Sequence, residues 1–281
     1  MRLALAFALL SAPAFAGTDE AIDMHVLPGT AAFATASAEL ETAATADCRA
    51  SALRGPWNTA FDAWLGISHL TFGPLEEDGR ALAIAFWPDT RGLVQKTVAS
   101  LIEDQDPVVR GPAEFAQVSV AGRGLFALER LLYDPDIAGY GENDYTCAFA
   151  RAIAADLARM GAAIDVEWQQ DHATRLKTAG NPDNETYLSP DEAAQTLYTA
   201  LMTGLEFTAD QRLGRPMGSF DRPRPNRAEA RRSGRSLHNV TLSLAALQDF
   251  ARALSDTPTP LTDAAFAEAL DAAKRPDPIL A

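Results

Sequence analysis

The sequence has little of what most catalytic and metal-binding motifs require. Its 281 residues include two cysteines and four histidines, His25, His69, His172 and His238, and each histidine stands alone. The His-Glu-x-x-His motif of zinc peptidases, Cys-x-x-Cys pairs, glycine-rich phosphate loops and the serine elbow of hydrolases are all absent from the sequence. No ready-made motif therefore points to metallopeptidase, thiol redox, nucleotide or serine-hydrolase chemistry.

Long hydrophobic runs are also lacking, apart from a short one at the start. Arg2 precedes an apolar run over residues 3–10, and Ala14-Phe15-Ala16 then supplies a small-x-small site. This pattern predicts a secretory signal peptide over residues 1–16, and a buried N-terminal helix fits the short run and its flanks less well. No later stretch is apolar enough to span a bilayer, so we expect an exported chain without a transmembrane segment.

Basic residues are scarce relative to acidic ones. The chain has 24 Lys and Arg against 38 Asp and Glu, a formal net charge of −14 that becomes −15 when Arg2 leaves with the signal. Such an acidic protein is not expected to bind nucleic acid or anionic membrane surfaces. The charge is compatible with cation binding, although in most acidic proteins it serves solubility alone.

The two cysteines, Cys48 and Cys147, form an even number in a chain expected to reach an oxidising compartment. This favours one disulfide between an early helix end and a mid-chain helix. Two free buried thiols are the alternative.

What the sequence does have is abundant alanine and helical spacing of apolar residues, and nothing alternates with period two for long enough to form a sheet. We therefore predict an all-α fold built from one or two helix bundles. The predicted helices cover about 29–46, 56–70, a segment from 88 through 101, a segment between 112 and 134 broken at Gly122 and Gly124, 147–168, 190–213, 237–254 and 261–274.

One segment, residues 212–235, departs from the acidic composition with eight arginines against two acidic residues. Its three prolines predict a loop through its middle. These arginines either pair with the acidic body or form a loop that clamps anions, for which the guanidinium group is well suited.

Several polar residues interrupt the apolar helical patterns. Glu129 lies within the apolar stretch GLFALERLL, where a carboxylate needs a partner. Glu229, Ser233 and Ser236 are spaced to share one helix face. Asp89 follows Trp87-Pro88, where helix capping is the default explanation, and a lone His69 is by default a hydrogen-bonded structural residue.

Four segments resemble the imelysin-like family. GLFALERLL resembles the Gly-x-His-x-x-Glu signature, with Gly124 and Glu129 in register, and EARRSGRSLHNVTLSL is similar to the family's Glu-Ser-x-x-Ser-x-x-Ser-Leu segment. FGP at 72–74 with FWPD at 86–89, and QRLGRPMG at 211–218, resemble two further family segments. The four segments follow in the family's order along nearly the whole mature chain. Phe126 stands where the signature has histidine, and a phenyl ring cannot bind a metal.

The resemblance implies two helix-bundle halves within residues 17–281, with a boundary at roughly 135–145 and a polar pocket between them. It also implies a periplasmic protein linked to iron uptake, with iron as the candidate cofactor and other envelope iron-uptake proteins as candidate partners. Because the signature histidine is missing, we expect a binding or accessory protein rather than a metallopeptidase. A metallopeptidase and a structural or partner-binding bundle are the rival interpretations.

The predicted ligand pocket is centred on Glu129, which would accept hydrogen bonds from serine hydroxyls or from an arginine, or give one oxygen to a hard cation such as ferric iron. His69 could join it as a metal ligand if the end of the second helix lies beside Glu129. The predicted pocket residues are Glu129, Gly124, Phe126, Arg130, Trp87, Asp89, Glu229, Ser233 and Ser236.

Overall fold

The structure is a computed structural model that describes residues 16–219, 221–255 and 260–275. Within these ranges it is helical and contains no β-strand, which confirms the predicted all-α class. Eight longer helices form the body of the fold: α1 (Leu27–Ala46), α2 (Ala50–Ile67), α3 (Leu93–Asp104), α4 (Gly124–Tyr133), α5 (Tyr145–Glu167), α6 (Pro190–Glu206), α7 (Ser236–Ala253) and α8 (Pro260–Ala273). Apart from Ala16, at which the first short helix begins, the predicted signal peptide lies outside the described residues.

Short helical segments extend or connect these helices. Ala16–Ala21 and a wide turn at Ile22–Val26 lead into α1, Trp168–His172 and Ala173–Lys177 continue α5, and Phe207–Gly214 with Arg215–Met217 continue α6. The remaining short segments are Gly73–Leu75, Glu77–Gly79, Arg80–Ile84, Pro107–Arg110, Pro112–Phe115, Val120–Gly122 and Pro225–Arg227.

Local signals decide where several helices begin. Ser189 caps α6 by accepting from the backbone N–H of Glu192, with Pro190 at the first helical position as predicted. Two predicted starts are wrong. Pro56 lies inside α2, which begins six residues earlier at Ala50. The helix expected from Pro88 begins only at Leu93.

The main hydrophobic core is formed where α1 packs against α2 and α5. Trp57, Phe61, Phe33 and Trp168 are fully buried within it. The core draws residues from both sides of the predicted boundary at 135–145, so the packing is continuous there and the boundary stays a prediction. Toward the C-terminus, α7 packs on α8, α2 and α6.

The predicted disulfide is confirmed. Cys48, just after α1, is bonded to Cys147 in the first turn of α5, with 5.3 Å between the Cα atoms. The bond closes a chain separation of 99 residues and ties together two helices that also pack along their length.

The C-terminal part of the arginine-rich segment is not helical, although the spacing of Glu229, Ser233 and Ser236 predicted a helix there. Glu229 and Ser233 lie in turns, where Ala230 has φ +46° and Gly234 has φ +69°, and α7 begins only at Ser236. The prediction that Glu229, Ser233 and Ser236 share a helix face is therefore wrong. Ala230 and Gly234, with their left-handed backbone angles, prevent a helix from forming over residues 229–235. None of the described helices is long and apolar enough to cross a membrane.

Candidate functional site

Gly124 fixes the start of the helix that carries Glu129. It has φ +70°, and a Cβ atom there would lie 2.2 Å from the carbonyl oxygen of Ala83 and 2.3 Å from that of Ile84. Only glycine avoids both the backbone strain and this close approach. The glycine of the signature therefore allows α4 to pack closely against the end of the Arg80–Ile84 helix.

Glu129 is buried, with 2% of its surface exposed, and it is held by Ser233. Its Oε1 accepts hydrogen bonds from the Ser233 backbone N–H at 3.0 Å and the Ser233 hydroxyl at 2.9 Å. Burial raises the pKa of Glu129 above its ordinary value, and the two bonds from Ser233 counteract that rise in part. The serine partner is one of the three arrangements expected from the sequence, and Oε2 accepts from no described residue.

Phe126 occupies the position of the signature histidine and belongs to an aromatic cluster. Its ring meets Phe61 edge-on at 5.5 Å and stacks on Trp87 at 6.5 Å between centroids. It is 6% exposed. The position therefore supplies a hydrophobic wall where the signature has histidine.

Beside Glu129 lies a cavity of about 360 Å³, here called the Glu129 cavity. Seven of its lining residues carry charge: Arg130, Arg215, Arg227, Arg231, Arg232, Glu129 and Asp89. Phe126 and Trp87 also line it. Of the nine predicted pocket residues, Glu129, Phe126, Arg130, Trp87 and Asp89 therefore meet at one cavity.

Asp89 performs the capping role that its position predicts. Its Oδ1 accepts from the backbone N–H groups of Arg91 and Leu93, and its Oδ2 accepts from that of Val94 at 2.8 Å. Its carboxylate is thus largely used by the backbone at the start of α3, although the residue also lines the Glu129 cavity.

The arginines of the Glu129 cavity are incompletely paired. Asp134 forms an ion pair with Arg130 at 2.7 Å and contacts Arg232 at 3.8 Å. Burial, followed by the charges of Arg130 and Arg231, lowers the pKa of Arg232. The Nε atoms of Arg130 and Arg215 are buried without a hydrogen-bond acceptor among the described residues.

Glu229 belongs to a second cavity of about 200 Å³, here called the His69 cavity, which also contains His69, Arg212 and Ser243. Glu229 Oε2 accepts from Arg212 Nε at 2.9 Å and from the Asn239 amide at 3.0 Å. Trp87 lines both cavities. Ser236 is buried at the first residue of α7, outside the lining of either cavity.

His69 is buried and pairs with another histidine. Its Nε2 lies 3.1 Å from Nε2 of His25, and its pKa is lowered well below the usual value by burial and then by the nearby His25 and Arg212. His69 and Glu129 line different cavities, and the described residues contain no group of three or more His, Cys, Asp or Glu that could hold a metal ion. The residues present do not fit a metal site, so a ligand role for Glu129 or His69 stays a prediction without geometric support.

Three comparisons place the chain among known proteins. The family model described as Imelysin matches residues 26–276, nearly the whole chain. The chain belongs to the imelysin family. It is 22% identical over 220 residues to the iron-regulated protein A of Synechococcus elongatus, a match that covers 74% of this chain and 56% of that relative's length. An imelysin-like protein of Psychrobacter arcticum shares its fold, with a TM-score of 0.74 at 22% identity, over 94% of this chain and 87% of that one.

The sequence reasoning missed two features of these cavities within the imelysin fold. Four arginines of the arginine-rich segment line the Glu129 cavity: Arg215, Arg227, Arg231 and Arg232. Their clustering in the sequence was the one signal that could have placed them there. The contact between His25 and His69 joins residues 44 positions apart, and no local pattern indicates it.

Proposed function

We propose that this chain is a periplasmic binding or accessory protein in iron acquisition, that it takes its ligand in the Glu129 cavity, and that it is not a peptidase. The observation that carries the proposal is Glu129 itself: a buried carboxylate, fixed by Ser233, at the wall of an open polar cavity. Buried carboxylates are costly unless they are partnered, and they occur often at binding sites.

The link to iron rests on the iron-regulated relative and on the family resemblance. Because the chain spans only 56% of that relative's length at 22% identity, its role in iron acquisition is carried over as a proposal. The N-terminal sequence pattern supports the periplasmic location.

Two features of the cavity argue against peptidase activity. A catalytic zinc site takes three protein ligands, and the position of the signature histidine is a phenylalanine packed among aromatic rings. In addition, five arginines line the same cavity as Glu129 and repel a cation. Both features favour binding over metal-assisted hydrolysis.

Growth under iron limitation tests the role. We expect a strain that lacks the protein to grow more slowly than its parent when a ferric chelator is added, and equally well when iron is plentiful. The wild-type chain should restore growth, Glu129→Gln should not, and Glu103→Gln, an exposed glutamate of α3, should restore it fully. Immunoblots and thermal melts of both variants exclude loss of folded protein as the cause.

Three results would overturn the proposal. The first is equal growth of the deletion strain at every chelator concentration, and the second is full restoration by Glu129→Gln. The third is zinc-dependent cleavage of casein by the purified mature chain. Export is tested separately: the protein released by osmotic shock should begin at or near Gly17.

A further inference from the structure

We propose that the Glu129 cavity is an oxyanion site, and that its ligand is a small molecule that carries carboxylate or phosphate groups. This inference deepens the proposed function, because it names the ligand class of the same cavity. It stands on the charge balance of the cavity, the burial of Arg130 and the contrast with other arginines of the chain.

The charge balance of the lining is positive. Five guanidinium groups face two carboxylates in a cavity of about 360 Å³. Both carboxylates already accept hydrogen bonds, Asp89 from three backbone N–H groups and Glu129 from Ser233. Asp134, outside the lining, pairs with Arg130 and approaches Arg232, which leaves five guanidinium groups against three carboxylates, an excess of about two positive charges in a protein whose net charge is −14.

Arg130 is the deepest of these groups. It is only 8% exposed, and although Asp134 pairs with one of its terminal nitrogens, its Nε donor has no acceptor among the described residues. Buried donors are almost always satisfied by protein or water, and Trp168 Nε1 and Ser243 Oγ are unmet as well, so the unmet Nε supports a ligand acceptor together with the excess of arginines. Carboxylate and phosphate oxygens are the acceptors that match a guanidinium best.

Arg215 supplies a second unmet donor from a different element. It begins the Arg215–Met217 segment that continues α6, and its buried Nε also lacks an acceptor in the described part of the chain. Of the five cavity arginines, Arg130 and Arg232 contact Asp134, and no ion pair joins Arg215, Arg227 or Arg231 to an acidic residue of the described ranges. Guanidinium groups from α4, from the end of α6 and from the turns before α7 therefore line one space.

Other buried arginines of the chain, which lie outside the Glu129 cavity, are paired with acidic residues. Arg212 pairs with Glu229 at 2.9 Å, and Arg123 pairs with Asp156 through two nitrogens at 2.8 and 3.0 Å. Arg235 contacts Asp62 and donates to Asn239 at 2.8 Å. Arg215, Arg227 and Arg231 of the Glu129 cavity have no such partner among the described residues, and a ligand oxyanion would supply it.

Glu129 adds a feature to the ligand class. Its Oε2 accepts from no described residue, so it can accept a hydrogen bond from a ligand hydroxyl. A hydroxylated polycarboxylate such as citrate would use both the guanidinium donors and this acceptor. Inorganic phosphate, if protonated, offers the same chemistry in a smaller volume.

Titration calorimetry of the mature protein, with citrate and with inorganic phosphate as separate probes, tests the proposal. We expect at least one of them to bind with a 1:1 stoichiometry and to weaken as sodium chloride is raised, because ion pairing is screened by salt. The tighter probe identifies the group: citrate for a carboxylate ligand, phosphate for a phosphate ligand.

Matched variants locate the site. Arg215→Gln and the double variant Arg215→Gln with Arg231→Gln should weaken binding at least tenfold, while Arg222→Gln, an exposed arginine of the same segment outside the cavity, should change it less than twofold. Circular dichroism should be the same for all of them.

Absence of binding by both probes at millimolar concentration would overturn the proposal, as would equal weakening by Arg215→Gln and Arg222→Gln. Its failure is separable from that of the proposed function. Anion binding without a growth defect under iron limitation supports the oxyanion site and refutes the iron role, whereas a growth defect without anion binding does the reverse.

Discussion

Replacing Gly124 with alanine separates the two reasons for a glycine at the start of α4. The residue has φ +70°, and its missing Cβ faces the carbonyl oxygens of Ala83 and Ile84 at 2.2 and 2.3 Å. Gly79 has nearly the same backbone angle, φ +67°, but nothing lies within 4 Å of the position where its Cβ would be. Gly79→Ala is therefore a matched control for backbone strain alone.

The expected magnitudes follow from this geometry. An alanine in the left-handed region costs about 1–2 kcal/mol, and this is the whole of the effect expected at Gly79. At Gly124 the Cβ also collides with two backbone oxygens, which cannot rotate away as a side chain would, and such overpacking adds about 1–3 kcal/mol. We expect Gly124→Ala to lower the free energy of unfolding by about 2–5 kcal/mol. The smaller unfolded-state entropy of alanine applies to both variants and cancels in their difference.

Urea unfolding of the mature chain, followed by tryptophan fluorescence and circular dichroism, measures both values. The slope of the free energy against urea should stay constant while the midpoint shifts. If Gly124→Ala and Gly79→Ala differ by less than about 0.5 kcal/mol, the close approach at α4 contributes nothing and the argument for a required glycine fails.

Three further predictions concern stability. Reducing the disulfide should lower the free energy of unfolding by at most about 4.7 kcal/mol, the loop-entropy value for a closed loop of about 100 residues; an unchanged urea midpoint with reductant would contradict this. Burial lowers the pKa of His25 to about 4, so the folded state keeps it neutral while the unfolded chain takes up a proton near pH 6.5. The stability present above pH 6.5 should therefore be lost as the pH falls toward 4, by about 3 kcal/mol for this residue, and His25→Gln should reduce the loss measured by urea unfolding between pH 7.5 and 4.5. Asp156→Asn leaves the buried Arg123 without its charged partner and should cost about 3–5 kcal/mol, whereas Asp171→Asn, which breaks an exposed pair with Arg175, should cost less than about 1 kcal/mol by the same assay.

The helices could be predicted from local signals to the extent that those signals are unambiguous. Ser189-Pro190 marks a start because the cap and the fixed proline φ act within one turn. The start predicted at Pro56 was wrong. Proline is typical of the first helical turn, and the sequence alone did not show that α2 begins at Ala50 and continues through Pro56. Helix existence followed from periodicity, while helix starts depended on a few competing residues.

The candidate site was predictable only in part, because its contacts join distant segments. The apolar surroundings of Glu129 predicted a buried carboxylate, and the structure buries it. Its serine partner is 104 residues away, and three-residue spacing placed Ser233 on a helix that its turn geometry does not form. Nor could spacing show that Glu229 pairs with Arg212 and lines the other cavity. Sequence patterns predict which residues share a helix face, whereas the lining of a cavity depends on how turns bring different helices together.

The proposed oxyanion site also decides in what form iron could enter the Glu129 cavity. A cation about 4 Å from a single guanidinium group would be repelled by roughly 4 kcal/mol at the effective dielectric near a protein surface, and five such groups line this space. Glu129, Asp89 and Asp134 offset that repulsion only in part, because they are three carboxylates against five guanidinium groups. An iron chelate of net negative charge meets the opposite balance, since its carboxylates can pair with the arginines. If the proposal holds, Phe126 removes no ligand that the cavity needs: it packs against Phe61 and Trp87 as an apolar wall, while the arginines would bind the chelating groups rather than the metal.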